Sequence, residues 1–198
     1  MTSGHVFIAT SLDGFVARLD HQLDWLTKQD TGGEEHGYEA FMASVDGLVM
    51  GRGSYTTVLA FEGWPYEKPV VVMSKSLTQA DVPARLAGRV RIVASEPAEL
   101  MDELDRQGWR RVYVDGGRVV QSFLGAGLIE DLTLTLVPIL IGTGQRLFGE
   151  LDADIDLELL EATPFESGLV RTRYRVRAPT PGPAGPRTRG LQRPARGR

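Results

Sequence analysis

The sequence predicts an α/β fold: a mostly parallel central sheet with helices on both faces and an antiparallel hairpin at the C-terminal end. Three features lead there. Short apolar runs recur at residues 5–10, 47–50, 69–73, 90–94 and 112–114, and an unbroken apolar run leaves no polar face for solvent, so each reads as a strand covered on both sides. Between several of these runs lie stretches with apolar residues at helical spacing. Beyond residue 131 the pattern changes to alternation, as expected of strands in an antiparallel arrangement. Strands alternating with helices, then strands following one another, is the order of a layered α/β sheet closed by a hairpin.

Composition bounds the rest. The chain has 198 residues, 42% hydrophobic and 24% charged, and no cysteine. This suits one globular domain with a sizeable core, and it excludes disulfides, thiolate nucleophiles and cysteine-ligated metals. No apolar run is long enough to span a bilayer, and the start Met1-Thr2-Ser3-Gly4 has neither region of a signal peptide. A cytoplasmic protein without membrane contact is expected. The net charge of −4 conceals an asymmetry: residues 179–198 hold five arginines and no acid, which leaves −9 on residues 1–178. The domain is therefore placed at 1–178. The Pro-, Gly- and Arg-rich remainder reads as a disordered tail, because it offers almost nothing apolar to offset its ordering entropy. With no aromatics among its arginines it is not read as a nucleic-acid module.

The elements follow in order. Residues 5–10 form the opening strand, Ser11-Leu12-Asp13-Gly14 a turn, and Phe15-Val16-Ala17 a short extended piece. The loop from Asp20 to the Gly32-Gly33 pair is polar except for Trp25-Leu26. Trp25 either anchors this loop on the core or lines a ligand pocket. Residues 34–44 read as a helix with Tyr38, Phe41 and Met42 on one face and Glu34 and Glu35 in its first turn. Residues 47–50 are a strand that runs into Gly51-Arg52-Gly53-Ser54-Tyr55, where Ser54 is a plausible N-cap for a helix over 55–60. The strand at 69–73 ends in Ser74-Lys75-Ser76 and the strand at 90–94 in Ser95. Residues 97–107 form a helix with Pro97 near its start, Leu100, Met101 and Leu104 on its buried face and Gly108 at its end. The strand at 112–114 breaks at Gly116-Gly117 into a helix whose face is Val119, Val120, Phe123 and Leu124. Residues 132–140 alternate and then turn apolar, with Pro138 and Gly142-Thr143-Gly144 limiting regular pairing. Residues 156–162 and 168–177 close the chain as a hairpin, with Arg171, Arg173, Arg175 and Arg177 read as a solvated outer face.

Two places repeat one theme of strand, glycine turn and helix start: Gly51 to Ser54, and Asp115 to Val120. Glycines let backbone approach a ligand closely, and the helix N-terminus behind them offers unpaired N–H groups and partial positive charge, which suit a phosphate. Arg52 adds a cation of the kind a nucleotide 2′-phosphate calls for. In a parallel sheet such turns follow strand C-termini and can converge on one crevice.

In combination these segments resemble the dihydrofolate reductase-like superfamily. Gly51-Arg52-Gly53-Ser54-Tyr55, Ser74-Lys75-Ser76 and Asp115-Gly116-Gly117-Arg118-Val119 with Phe123-Leu124 carry the resemblance. Ser11-Leu12-Asp13-Gly14 and the stretch from Pro138 to Gly144 with Leu147-Phe148 are more similar to its riboflavin-biosynthesis branch, the RibD C-terminal reductase domain, over roughly residues 5–177. The resemblance implies the three-layer dihydrofolate reductase-like fold, NADPH as cofactor, a small heterocyclic substrate and a homodimer. It implies a cofactor site made of Gly51, Arg52, Gly53 and Ser54, with Arg52 at the 2′-phosphate, Ser74 and Lys75 on the same side, and Val114, Asp115, Gly116, Gly117, Arg118, Val119 and Val120 around the pyrophosphate and nicotinamide. Ala9, Asp13 and Trp25 would border the nicotinamide and substrate, and Asp115 stands where the riboflavin enzymes have an acid that contacts substrate.

The match is not complete. After the first glycine turn the riboflavin reductases have an acidic-proline-arginine segment for the phosphoribosyl group, and this chain has Glu62-Gly63-Trp64-Pro65-Tyr66. Glu35 falls near the position of the pterin-binding carboxylate of dihydrofolate reductases, with Asp30 a weaker rival. The expected chemistry is hydride transfer to a C=N or C=O carbon, with Asp115, Asp13 and Glu35 as the available acids. Dihydrofolate reduction, or nucleotide binding without turnover, are the alternatives. His5, His21 and His36 show no ligand-like clustering, so no metal is expected. Neither a Gly-x-Ser-x-Gly elbow nor a Walker loop occurs.

Overall fold

The computed structural model describes residues 1–177; the expected tail lies outside the described residues. An eight-stranded sheet runs through the molecule. It comprises β1 (Ser3–Ser11), β3 (Gly47–Gly51), β4 (Val70–Met73), β5 (Val90–Val93), β6 (Arg111–Asp115), β7 (Ile129–Val137), β9 (Leu157–Pro164) and β10 (Val170–Val176) in the order β5-β4-β3-β6-β1-β7-β10-β9. The first six strands in this order are mutually parallel, and β10 pairs antiparallel with both β7 and β9. A second, two-stranded sheet pairs β2 (Phe15–Ala17) with β8 (Gln145–Arg146).

Helices cover both faces. Against one face lie α2 (Tyr38–Ser44) and α3 (Arg52–Leu59), where Phe41, Met42, Tyr55 and Val58 pack on Leu48, Met50, Val70, Val72 and Tyr113. Against the other lie α4 (Pro97–Arg106) and α5 (Gly117–Gly125), where Leu100, Met101, Leu104, Val120 and Phe123 pack on Val49, Val71, Val112, Val114 and Leu132. The alternate residues of each apolar strand thus feed two cores, which is why these strands carry no polar face.

Several local expectations change. The helix expected over 34–44, α2, begins at Tyr38, with Gly37 at its N-cap in a left-handed conformation (φ 87°), so Glu34 and Glu35 precede it. Glu34 instead accepts a hydrogen bond from the Glu166 amide at 2.8 Å, tying the loop to the closing hairpin. The helix expected over 55–60, α3, starts at Arg52 with Gly51 as N-cap, so Ser54 is inside the helix rather than capping it. The polar loop contains a short helix, α1 (Asp24–Thr27). The hairpin arginines are not simply solvated: Arg171 pairs with Glu161 at 2.6 Å, Arg173 with Asp131 at 3.1 Å and Arg175 with Glu158 at 3.2 Å.

Candidate functional site

Parallel register aligns the C-terminal ends of the central strands. Gly51 of β3 stands opposite Met73 of β4, and Met50 opposite Asp115 of β6. With His5 opposite Tyr113, β6 ends about level with Phe7, while β1 continues to Ser11. The ends of β3, β4 and β6 and the longer β1 therefore bound one crevice, with Ala9 on the overhanging part.

The two glycine turns meet there. A Cβ on Gly116 (φ 90°) would collide with Ser54 Oγ, and one on Gly51 would stand 3.1 Å from Val119 Cγ2. Each turn thus leaves room for a side chain of the other. Neither α3 nor α5 has a side-chain cap, whereas α4 is closed by a capping box between Glu96 and Glu99. Uncapped N-termini keep their first amides unpaired and pointing outward. Arg52 and Arg118 are exposed at these termini, and among the described residues neither makes an ion pair. Unpaired amides, two helix dipoles and free guanidinium groups form a donor set that fits the phosphates of a dinucleotide.

Ser74 and Lys75 line a small cavity of about 150 Å³ beyond β4 and β5, together with Ser95, Glu96, Pro97 and Ser122. Lys75 is turned to Glu96 at 3.1 Å in an exposed pair. A larger cavity of about 440 Å³, lined by Arg89, Arg91, Gln107 and Trp109 among others, opens at the N-terminal ends of β4 and β5 and is no part of the crevice.

Gly53 and Gly117 are used for packing. The ring of His21 occupies the space beside Gly53, 2.8 Å from where its Cβ would be, and His21 has a positive φ of 68°. The carbonyl of Arg146 closes on Gly117, which is buried. Val114, Val119 and Val120 are buried in the core, so only their backbone is available to a ligand.

The acids separate clearly. Asp13 accepts hydrogen bonds from the amides of Gly142 (2.7 Å) and Ile141 (3.2 Å) and clasps the loop after β7. The Ser11 hydroxyl, followed by those amides, holds its carboxyl below the ordinary range. Glu35 is exposed and accepts from the Gly37 amide at 2.5 Å, and Asp30 accepts from Gly32 at 3.0 Å in the same surface loop. Trp25 is fully buried with Val137 and Leu169, the loop-anchoring position of the two considered. Asp115, in contrast to Asp13, has a raised pKa. Burial is the main cause, opposed by hydrogen bonds from Ser54, Tyr113 and the Gly116 amide.

Around Asp115 stand residues the sequence did not single out. Tyr113 is buried beside it, and the phenols of Tyr38 and Tyr66 are raised by burial and then by the Asp115 charge. Trp64 packs edge-on against Tyr66 at 5.4 Å and Tyr55 at 6.1 Å, so the segment Glu62 to Tyr66 is anchored on the core beneath α3 by its aromatic residues. The only available signal was the two-residue spacing of Tyr113 and Asp115, which puts both on one face of a strand. Among the described residues no group of three His, Asp or Glu side chains is placed to hold a metal ion, and no helix is long and apolar enough to cross a membrane.

Comparison with known proteins gives the family and the fold. A putative riboflavin biosynthesis protein of Shewanella sp. PV-4, of known crystal structure, is 37% identical and superimposes with a TM-score of 0.83 over 89% of this chain and 100% of its own. The uncharacterized protein YwjB of Bacillus subtilis is 27% identical over 163 residues, 81% of this chain and 90% of the relative. Dihydrofolate reductase from Enterococcus faecalis, complexed with NADP(H) and RAB-propyl, shares the fold at 16% identity, with a TM-score of 0.63 over 90% of this chain and 97% of its own. The family model of the RibD C-terminal domain matches residues 3–171, and the chain belongs to that family.

Proposed function

We propose that this protein is an NADPH-dependent reductase of the riboflavin-biosynthesis type, acting on a C=N or C=O carbon of a small heterocycle such as a ribosylaminopyrimidine. The observation that carries the reading is the meeting of two uncapped helix N-termini at interlocked glycine turns, with Arg52 unpaired beside them. In this reading the amides of α3 and α5 bind the phosphates, and Arg52 takes the 2′-phosphate. NADPH, when bound, supplies the hydride. Asp115 is the proton donor: burial raises its pKa, which favours the protonated carboxyl, and it lies at the end of β6 beside the crevice. The aromatic residues Tyr38 and Tyr66 form an apolar wall for a flat ring and keep water from the reacting atoms.

Glu35 gives the folate alternative no support, since it is exposed and engaged by the Gly37 amide. The test is NADPH oxidation measured side by side with 5-amino-6-(5-phosphoribosylamino)uracil and dihydrofolate. Oxidation with the ribosylaminopyrimidine and little with dihydrofolate is expected; the reverse order would make the protein a folate reductase.

A further inference from the structure

Tyr113 and Asp115 lie two residues apart on β6 and face the same side of the sheet. The Tyr113 ring is fixed edge-on against Phe41 with centroids 5.1 Å apart. Its hydroxyl oxygen is 2.8 Å from the Phe7 carbonyl oxygen and 3.2 Å from Asp115 Oδ1. A phenol has one hydrogen to donate, and two acceptors compete for it here. The Phe7 carbonyl can only accept. A carboxyl accepts when ionised and can donate when protonated. The hydrogen therefore has two resting places, and each suits one state of Asp115. With Asp115 protonated, the carboxyl donates to the phenol oxygen and the phenol donates to Phe7. With Asp115 ionised, the phenol turns its hydrogen to the carboxylate.

The surroundings restrict this exchange to these groups. Asp115 is hydrogen-bonded by Tyr113 from β6, by the Ser54 hydroxyl from α3 and by the Gly116 amide, its charge acts on Tyr38 from α2 and on Tyr66 from the segment before β4, and among the described residues no cation is among the groups that shift it. A phenol buried as Tyr113 is keeps its own proton. It thus serves as a hinge for the hydrogen bond and is never a proton source.

We propose that Tyr113 is a positioning residue whose hydroxyl alternates between the Phe7 carbonyl and Asp115, holding the carboxyl in one orientation through both of its protonation states so that it can lose and regain a proton in each turnover. The role in turnover rests on the reductase reading above, whereas the alternation belongs to the free protein. In the reaction, a dihydronicotinamide reductant gives a hydride to the substrate carbon. The π pair of the C=N or C=O bond moves to the nitrogen or oxygen, which takes the proton of Asp115. The carboxylate left behind recovers a proton from solvent. Tyr113 gains and loses nothing; only its hydrogen bond changes partner.

The test is a pH series of infrared difference spectra on the full chain without cofactor, with isotope-labelled tyrosine, for wild type, Asp115→Asn, Tyr113→Phe and Tyr38→Phe. In wild type, the carbonyl band of protonated Asp115 should grow as pH falls, and a tyrosine C–O band should shift with the same midpoint. Asp115→Asn should abolish both. Tyr113→Phe should abolish the tyrosine shift and move the Asp115 midpoint to higher pH, because a hydrogen bond to the ionised form is lost. Tyr38→Phe should keep the tyrosine shift. A wild-type tyrosine signal that stays flat through the Asp115 titration would overturn the proposal, and that result needs no variant at Tyr113. An unmoved midpoint in folded Tyr113→Phe would overturn it equally. In turnover Tyr113→Phe should lower kcat roughly ten-fold with KM little changed, less than the loss of about 10²-fold or more expected for removing the acid itself. Failure of wild type to bind NADPH would remove the reductase reading and leave the hydrogen-bond exchange standing.

Discussion

Ser54 Oγ fills the space that a side chain on Gly116 would need, so the turn after β3 and the turn after β6 can be occupied together only if one of them is glycine. Gly116 also has φ 90°, a conformation unfavourable for any residue with a Cβ. Both constraints fall at the point where two helices present unpaired amides to one crevice. In the proposed reading, the close fit of the two turns joins the two helix N-termini into one surface for the phosphates of a dinucleotide.

The two glycines of the second turn should respond differently to substitution. Gly117 is closed off by the Arg146 carbonyl, so Gly117→Val should force β8 away from α5 and lower stability by roughly 1–3 kcal/mol, as overpacking does. Loss of cofactor binding in that variant would follow from the displaced loop. Gly116→Ala should disturb the turn and Ser54, weakening NADPH with a smaller fall in Tm. Thermal melts and NADPH titrations on both variants check this; a fully stable Gly117→Val would show that the loop carrying Arg146 yields at no cost.

Asp115, partly buried, and Asp131, buried, should give opposite pH signatures. Burial raises the Asp115 pKa, so its contribution to stability is fully present below the unfolded value near 3.8 and is lost as pH rises through the folded value. Asp115→Asn should therefore raise Tm at neutral pH, with the gain fading in acid. At Asp131 burial pushes upward, but His5 and Arg173 outweigh it and the pKa is lowered. Its contribution is present above the unfolded value and is lost as pH falls through the folded one. Asp131→Asn should cost roughly 1–3 kcal/mol at neutral pH, below the about 3–5 of a fully buried pair because Arg173 is half-exposed, and the cost should shrink toward acid. Melting curves across pH for both variants are the check; parallel curves would contradict the assignment.

Much of the sheet was legible because its strands are buried on both faces and so appear as apolar runs, and both glycine turns stood out as breaks after such runs. What escaped depended on distant partners. The pairing of β2 with β8 rests on two residues of β8, Gln145 and Arg146, too few for any periodicity. The first turn of α2 was misplaced because Gly37, not the acids before it, sets the helix start. The arginines of β10 alternate as a solvent-facing row would, and nothing local reveals that Glu161, Asp131 and Glu158 meet them. In the site, Asp115 was visible as an acid at a strand end with Tyr113 two residues before it on the same strand, whereas Tyr38 and Tyr66, whose phenols feel its charge, come from two other segments that only the fold brings near.

Asp13 should behave as a clasp. Its carboxylate holds the Ile141 and Gly142 amides, so Asp13→Ala should speed hydrogen exchange at those two amides and lower Tm modestly. NADPH binding should persist. Complete loss of turnover with unchanged exchange would instead make Asp13 part of the chemistry.

The central claim is that the interlocked turns hold a dinucleotide and that Arg52 reads its 2′-phosphate. Paired titrations of NADPH and NADH on wild type and Arg52→Ala, at low and moderate salt, test it most directly. Wild type should prefer NADPH. Arg52→Ala should weaken NADPH by roughly ten- to a hundred-fold with much less effect on NADH, and salt should erode the wild-type preference because Arg52 is exposed. Equal losses for both cofactors, or no NADPH binding by wild type, would contradict the account.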